Sequence, residues 1–412
     1  MKFAAIALRN LSRNLRRTLL SLLVISAGTI GILLTAGFIR FSFDGLREAI
    51  IHGGLGHIEV ATEVAAAGKE SAPERSISDG LQDWQAVRAE IEKTPHVLAA
   101  GGNIHLMGIV SKGERSASFL GVAVEPDRER RMGFEVKIRA GSPLPETAPA
   151  EGEDSVVLGL GLAESVGAKP GDTVTVLAMT ADQTLNALDM KVGGLVTSGV
   201  QDLDTRLLKM HLASAQRLIG TDRVSDVVVT LDESSRTAAV MAALEARLAP
   251  FGKFRLSDWR ARTPFYNQVR SLYAGIFWFL GSIIFVLVVL STSNTLLMSV
   301  MERIREIGTL LALGTSRGQV AAIVLLEALW LGLLGGIAGD ILGLAAIAAI
   351  NAANIKMPPP PGAVSGIDLK LAIVPEAIAG VIVLMLVIMA LAAVFPTLRA
   401  VRLRIVDALG HV

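Results

Sequence analysis

Residues 302–314, ERIREIGTLLALG, lie between two long apolar stretches and decide how the chain is organised. The stretch before them, 271–301, contains no charged residue, and the stretch after them, 320–351, contains only Glu327 and Asp340. A hydrocarbon core about 30 Å thick is crossed by roughly 20 helical residues, so each stretch is long enough to span a membrane. The segment between them is therefore predicted to lie at a membrane face.

This segment has the pattern of a short amphipathic helix. Ile304, Ile307 and Leu311 recur at helical spacing on one side. Most of the other side is charged, with Glu302, Arg303, Arg305 and Glu306. Gly314 suits the left-handed position that ends a helix, and residues 316–319 fit a capping box that begins the next one. Two interpretations remain open: an interfacial loop whose charges lie among headgroups, or a lever on which another protein acts.

The motif Glu302-Arg303-x-Arg305-Glu306-Ile307-Gly308-x-Leu310-x-Ala312-x-Gly314 is followed by Leu326-Glu327-Ala328 and Gly335-Gly336. Together these residues closely resemble the MacB-type permeases, also called FtsX-like permeases, which are membrane subunits of a class of ABC transporters. The resemblance implies that a separate ABC ATPase on the cytoplasmic face binds ATP and Mg, with no cofactor in this chain. It also implies a second permease subunit, identical or paralogous, and leaves room for a periplasmic substrate or carrier protein.

The same resemblance implies which residues contact the ATPase. The expected polar docking groups are Glu302, Arg303, Arg305 and Glu306. The expected apolar anchor consists of Ile307, Leu310 and Leu313, and Gly314 ends the coupling segment. The layout of the chain is similar to the lipoprotein-releasing members of the family, which makes lipoprotein transport towards the outer membrane the first expectation.

Composition agrees with a membrane protein of more than one domain. The chain has 412 residues, of which 51% are hydrophobic, and its mean hydropathy is positive. The net charge of +1 does not favour nucleic acid as a partner. The absence of cysteine excludes disulfides and thiol chemistry.

The predicted fold is an α-helical membrane protein with four transmembrane helices and a large α+β domain inserted between helices 1 and 2. Basic residues before the first span and after the last one predict that both termini lie inside and the inserted domain outside. The resemblance implies that the membrane is a bacterial inner membrane, with the termini in the cytoplasm and the domain in the periplasm. The predicted order is a cytoplasmic amphipathic helix (1–17), helix 1 (18–39), the MacB-like domain (40–268), helix 2 with a stalk (269–301), a cytoplasmic coupling helix (302–318), helix 3 (319–351), a Pro-rich periplasmic loop (352–374), helix 4 (375–398) and a cytoplasmic tail (399–412).

The inserted region is predicted to be one α+β lobe interrupted by a β-rich insert. Strand patterns occur at 57–60, 119–124, 155–158, 173–177 and 226–231, and helical patterns at 81–92 and 236–248. Each helical pattern lies between strand patterns, as in a β-α-β arrangement, whereas the middle lacks helical repeats.

Small residues predict where the membrane helices pack. Ala27, Gly31 and Thr35 recur every four residues in helix 1, and Gly335, Gly339 and Gly343 do so in helix 3. Such rows let helix backbones approach closely, within one chain or across a dimer. The intramembrane carboxylates Glu327 and Asp340 suggest function, and a structural or gating role is preferred to proton transfer.

The sequence shows no catalytic site. It has no Gly-x-x-x-x-Gly-Lys-Ser/Thr motif, so ATP hydrolysis by this chain is not expected. His52 and His57, without nearby cysteine or a carboxylate cluster, indicate structural roles and no metal site. The alternatives are efflux of antibiotics or peptides by the same machinery, a proton-coupled secondary transporter centred on Glu327 and Asp340, and a membrane sensor.

Overall fold

The computed structural model describes residues 15–63, 77–134, 137–198, 201–357 and 367–402. The chain divides into two compact units. The membrane unit is Met1–Asp44, Val269–Lys356 and Asp368–Val412, and the sheet unit is Gly45–Gln268 and Met357–Ile367. Most of the predicted amphipathic helix 1–17, the prolines of the loop 352–374 and most of the tail 399–412 lie outside the described residues.

The helices of the described part of the chain are α1 (Leu15–Ile50), α2 (Trp84–Glu92), α3 (Pro126–Arg131), α4 (Leu160–Val166), α5 (Gln201–Asp204), α6 (Leu212–Ile219), α7 (Thr237–Leu248), α8 (Pro264–Glu302), α9 (Ile304–Ala312), α10 (Arg317–Ala352) and α11 (Pro375–Val401). The strands are β1 (Ile58–Thr62), β2 (Val97–Lys112), β3 (Arg115–Val124), β4 (Lys137–Gly141), β5 (Ser155–Gly159), β6 (Thr173–Met179), β7 (Leu185–Thr197), β8 (Leu207–His211), β9 (Asp226–Leu231), β10 (Phe254–Asp258), β11 (Lys356–Met357) and β12 (Ile367–Asp368).

Four of these helices, α1, α8, α10 and α11, are long and apolar enough to cross a membrane. With the α+β region between the first two, they confirm the predicted fold class. The helices extend beyond the apolar runs that predicted them. In α1, for example, Arg40 pairs with Asp44 at 2.8 Å one turn away, which supports helix after the uncharged run has ended. The 39 residues of α8 reach about 58 Å, well beyond a hydrocarbon core of about 30 Å.

Glycines on α10 hold the membrane unit together. Gly335, Gly339 and Gly343 face α1, where a Cβ would meet Ile25, Thr29 and Leu33 respectively at less than 3 Å. On a neighbouring row, a Cβ at Gly332 would lie 2.8 Å from Met389 of α11. In addition, the hydroxyl of Ser26 donates a hydrogen bond to the carbonyl of Gly335 at 3.0 Å. These contacts place α10 in close contact with both α1 and α11.

The face of α1 that packs differs from the predicted one. Ala27 is exposed, and a Cβ at Gly31 would meet nothing within 4 Å. The positions that pack against α10 lie two residues away, at Ile25, Thr29 and Leu33. Gly28, one residue from Ala27, lies against Val288 of α8. Ala27 and Gly31 therefore lie off the face used within the described chain, and their assignment as helix-packing residues, which included packing across a dimer, stays a prediction.

The sheet unit contains a closed barrel of six strands. Around the ring, β2 pairs with β3, β3 with β8, β8 with β5, β5 with β7, β7 with β6, and β6 returns to β2. The pairs β3–β8 and β5–β7 are parallel and the others are antiparallel. Closure leaves none of these six strands as a free sheet edge.

The long strand β2 belongs to both parts of the sheet. Its first half, Val97–Asn103, pairs with β9, which continues through β1 to β10, and α2 and α7 accompany this part of the sheet. Its second half, from Ile104, enters the barrel. The predicted strand and helix patterns of this region are confirmed, but the β-rich part shares a strand and a hydrophobic core with the α+β lobe.

His57 of the sheet unit is buried in its neutral form. Its Nδ1 accepts the backbone N–H of Leu231 at 3.2 Å, so the proton lies on Nε2, which donates to Ser234 Oγ at 3.0 Å. Burial, with the neighbouring charge of His52, lowers the pKa of His57 from 6.5 to about 4. His52 itself pairs with Glu48 at 3.1 Å. Both histidines thus have structural partners.

Replacement of Gly339 by alanine should destabilise the membrane unit. The new Cβ would lie 2.5 Å from the Cβ of Thr29, and such overpacking costs about 1–3 kcal/mol, more than the gain in helix propensity of about 1 kcal/mol. The control is Gly380→Ala on α11, where a Cβ meets nothing within 4 Å. Thermal unfolding in detergent measures both variants, and equal stability of the two would contradict the packing described here.

Acidification should destabilise the sheet unit through His57. The unfolded chain takes up a proton near pH 6.5 and the folded chain only near pH 4, so stability falls as the pH is lowered through that window. His57→Gln removes this titration and should show a flatter pH dependence. Hydrogen exchange of the β9 amides, corrected for intrinsic rates, measures the effect, and identical slopes for parent and variant would exclude His57 as its source.

Candidate coupling site

The helix α9 is separated from both of its neighbours by well-defined breaks. Arg303 alone lies between α8 and α9, with φ −106° and ψ 18°. At the other end Gly314 adopts φ +93°, a conformation that favours glycine. Ser316 and Gln319 then form the predicted capping box of α10, with hydrogen bonds of 3.3 and 2.9 Å. The local sequence therefore specifies the position of both turns around α9.

The apolar face of α9 is covered by the chain itself. Ile304 and Ile307 are 5% and 8% exposed. Ile307 belongs to a small hydrophobic cluster that also contains residues of α8, α10 and α11, namely Val300, Val320, Val324 and Ala400. Ile307, expected to anchor a partner ATPase, is thus a core residue, and this part of the expectation is corrected.

Arg303 also turns towards the chain. Its Nε lies 3.1 Å from a carboxylate oxygen of Glu306, and its Nη1 lies 3.2 Å from Oε2 of Glu327 on α10. The side chains of Arg303 and Glu327 are 20% and 10% exposed, whereas that of Glu306 is 41% exposed. Arg303 was expected to be a docking group on the surface. Instead, it joins the start of α9 to α10.

The surface of α9 that remains exposed is polar at one end and apolar at the other. Glu302 and Arg305 are exposed near its start, and Leu310 and Leu313 are 39% and 79% exposed near its end. An exposed leucine beside charged groups at the end of a helix bundle suits contact with another protein better than contact with water. These four residues belong to the expected coupling surface and are exposed in the described part of the chain.

A cavity of about 50 Å³ lies beside the ion pair of Arg303 and Glu327. Its apolar walls come from α8, α9 and α10, and the charged side chains of Arg303, Glu306 and Glu327 line it together with these walls. Since protein interiors are normally packed as densely as organic crystals, the cavity marks a place where α8, α9 and α10 fit together incompletely.

The two intramembrane carboxylates have different surroundings. Glu327 is about 15 Å along α10 from Arg317, within reach of Arg303 at the bundle end. Asp340 is 5% exposed, and within the described part of the chain neither of its oxygens has a hydrogen-bond partner. The pairing of Glu327 with Arg303 was not predicted from the sequence. The short distance of Glu327 from the start of α10 could have indicated that it lies near the end of the bundle.

Four long apolar helices, a large inserted domain and a short amphipathic helix at one end of the bundle define a multi-pass membrane protein with a periplasmic-type domain. Residues 18–247 match the model of the MacB-like periplasmic core domain, and residues 278–405 match that of the FtsX-like permease C-terminal region. The chain belongs to this family of FtsX-like permeases with a MacB-like periplasmic core domain.

Named relatives share part of their length with this chain. The lipoprotein-releasing system transmembrane protein LolC of Neisseria meningitidis serogroup B is 25% identical over 269 residues, which are 64% of this chain and 64% of LolC. The macrolide export ATP-binding/permease protein MacB of Hyphomonas neptunium is 28% identical over 146 residues, 35% of this chain and 23% of that protein. The chain thus spans less than two thirds of the length of either relative.

Among solved structures, the periplasmic region of MacB from Actinobacillus actinomycetemcomitans is similar to 53% of this chain, and the match covers 95% of that region. Its TM-score is 0.37 and its sequence identity is 14%.

Proposed function

We propose that this chain is the permease subunit of an ABC transporter, in which a separate ATPase moves α9 and thereby changes the conformation of the sheet unit. The observation that carries the proposal is α9 itself. The buried face of α9 holds it at the end of the bundle. Its other face exposes Arg305, Leu310 and Leu313. The sheet unit continues into the membrane unit through α1 and α8, so movement of these helices reaches it along the chain.

The distribution of basic residues supports an orientation with α9 in the cytoplasm. Arginines cluster in the described residues at the α9 end of the bundle, at positions 16, 303, 305, 317, 399 and 402. The positive-inside rule places such an end on the cytoplasmic side, with both termini there and the sheet unit in the periplasm. ATP and Mg would then be bound by the partner ATPase, and the chain itself needs no cofactor.

The substrate class that the relatives support best is a lipid-modified protein released from the inner membrane. The similarity to the transmembrane protein of a lipoprotein-releasing system extends over 64% of this chain, whereas the similarity to the macrolide exporter covers 35%. As the family resemblance implies, the proposed assembly also contains a second permease subunit, either another copy or a paralogue, beside the ATPase.

Substitution of the exposed face of α9 should release the ATPase. Arg305→Glu reverses the charge at that position. Leu313→Asp puts a carboxylate in place of a leucine side chain that is 79% exposed. The buried face of α9 is unchanged in this double variant. We expect an ATPase to copurify with the parent chain from its native membrane and to be lost from this variant.

The control for this experiment is Lys370→Glu, which reverses an exposed charge in the segment before α11, at the other end of the bundle. It should keep the ATPase. Absence of any ATPase from the purified parent complex would reject the permease proposal, as would cargo transport by the isolated chain without nucleotide.

Depletion of the chain should make lipid-modified proteins accumulate in the inner membrane. Metabolic labelling with a fatty acid, followed by separation of inner and outer membranes, measures their distribution. If lipoproteins keep their distribution while cells become sensitive to antibiotics or retain an exported peptide, the substrate proposal is wrong and the chain acts in efflux.

A further inference from the structure

We propose that Arg303, through its ion pair with Glu327, is the positioning residue that passes movement of α9 to α10. This inference rests on the proposed function, because it needs a partner that moves α9. It assigns to Arg303 a task inside the membrane unit, in place of direct contact with the ATPase.

The first argument is the position of Arg303 in the backbone. It is the one residue between α8 and α9, and it is not helical. Its N–H nevertheless donates to the carbonyl of Val300 at 3.2 Å, and its carbonyl accepts the N–H of Ile307 at 2.9 Å. The helix is therefore interrupted at Arg303 while these backbone hydrogen bonds remain formed. Because the carbonyl of Arg303 is bonded to Ile307 of α9, we expect a movement of α9 to carry Arg303 with it.

The second argument is the unequal burial of its two carboxylate partners. The Arg303–Glu306 pair lies within one segment and Glu306 is 41% exposed, and exposed pairs of this kind contribute little to stability. Glu327 is 10% exposed and lies on another helix. Loss of Arg303 would leave this buried carboxylate uncompensated, which is strongly unfavourable. Movement of Arg303 should therefore displace Glu327 with it.

The third argument is the contrast between polar and apolar contacts around the ion pair. Val300, Ile307 and Val324 contact one another through apolar surfaces, which have no preferred direction and let helices slide. The adjoining cavity of about 50 Å³ gives the helices room to shift. Hydrogen-bonded ion pairs are directional. Among the described residues, the Arg303–Glu327 pair is a contact of this kind between the start of α9 and α10, and it should resist such sliding.

The fourth argument is the helix that carries Glu327. On α10, Gly335 and Gly339 contact α1 and Gly332 contacts α11, all closely enough that a Cβ would clash. A displacement of Glu327 therefore acts on a helix that is tightly packed against two others. In contrast, α8 precedes Arg303 and exposes most of its apolar side chains, including Trp278 at 81%.

The test measures movement at the far end of α10. The chain has no cysteine, so Ala352→Cys at the exposed end of α10 introduces a single reactive position in it. The purified ATPase complex in nanodiscs is treated with a water-soluble maleimide in ATP and Mg or in ADP, and labelling at position 352 is followed by mass spectrometry. With Arg303 and Glu327 present, the rate should depend on the nucleotide.

Three variants then distinguish transmission from folding. Arg303→Met with Glu327→Leu replaces the pair by apolar groups, which often leaves stability unchanged; it should keep the ATPase and its hydrolysis but lose the nucleotide dependence. Arg303→Glu with Glu327→Arg should restore that dependence. Lys93→Gln, which removes an exposed ion pair with Glu90 in the sheet unit, is the control and should behave as the parent.

The inference would be overturned if the apolar double variant showed the same difference in labelling rate between ATP and ADP as the parent. It would also be overturned if the parent complex hydrolysed ATP while the labelling rate at position 352 stayed the same in both nucleotides. Failure of the exchanged pair to restore the dependence in a complex that assembles and hydrolyses ATP would do the same. Failure of the proposed function has a different signature, namely that no ATPase copurifies with the parent chain.

Discussion

The close approach of α10 to α1 is the contact on which the membrane unit depends. Lipid tails are as apolar as leucine, so burial of apolar surface gives helices little reason to associate, and association relies on close van der Waals contact. Glycine permits that contact because no side chain holds the backbones apart. At Gly339 the fit against Thr29 leaves no room for even a methyl group, and the hydrogen bond from Ser26 to the carbonyl of Gly335 adds a directional contact.

This packing divides the membrane unit into two kinds of helix. The glycine rows join α10 to α1 and α11, whereas α8 exposes much of its apolar surface and leads directly into α9. In the proposed mechanism, a movement of α9 therefore begins beside α8, which exposes much of its apolar surface. It must then reach α10, which is packed closely against α1 and α11. The ion pair of Arg303 and Glu327 crosses that division, because it joins the start of α9 to α10.

Local features of this chain could be predicted from sequence because each depends on a few neighbouring residues. The long apolar runs predicted the four long helices. Gly314, together with Ser316 and Gln319, predicted the turn after α9. The partner of each face could not be predicted in this way. Periodicity placed Ile307 on the apolar face of α9, but it did not predict that Val300 and Val324 cover it. The spacing of Ala27 and Gly31 indicated a row of small residues two positions away from the row that packs against α10.

The pairing of strands that lie far apart in the chain could not be predicted from the sequence either. In the sheet unit this long-range pairing has a consequence for biosynthesis. Thr62 of β1 pairs with Phe254 of β10, and β2 needs both β9 and β6 as neighbours. The sheet is therefore incomplete until nearly all of the segment between α1 and α8 has been synthesised. Until then the apolar strands lack their partners, so a chaperone that shields nascent chains should matter more for this domain than for the helices that flank it.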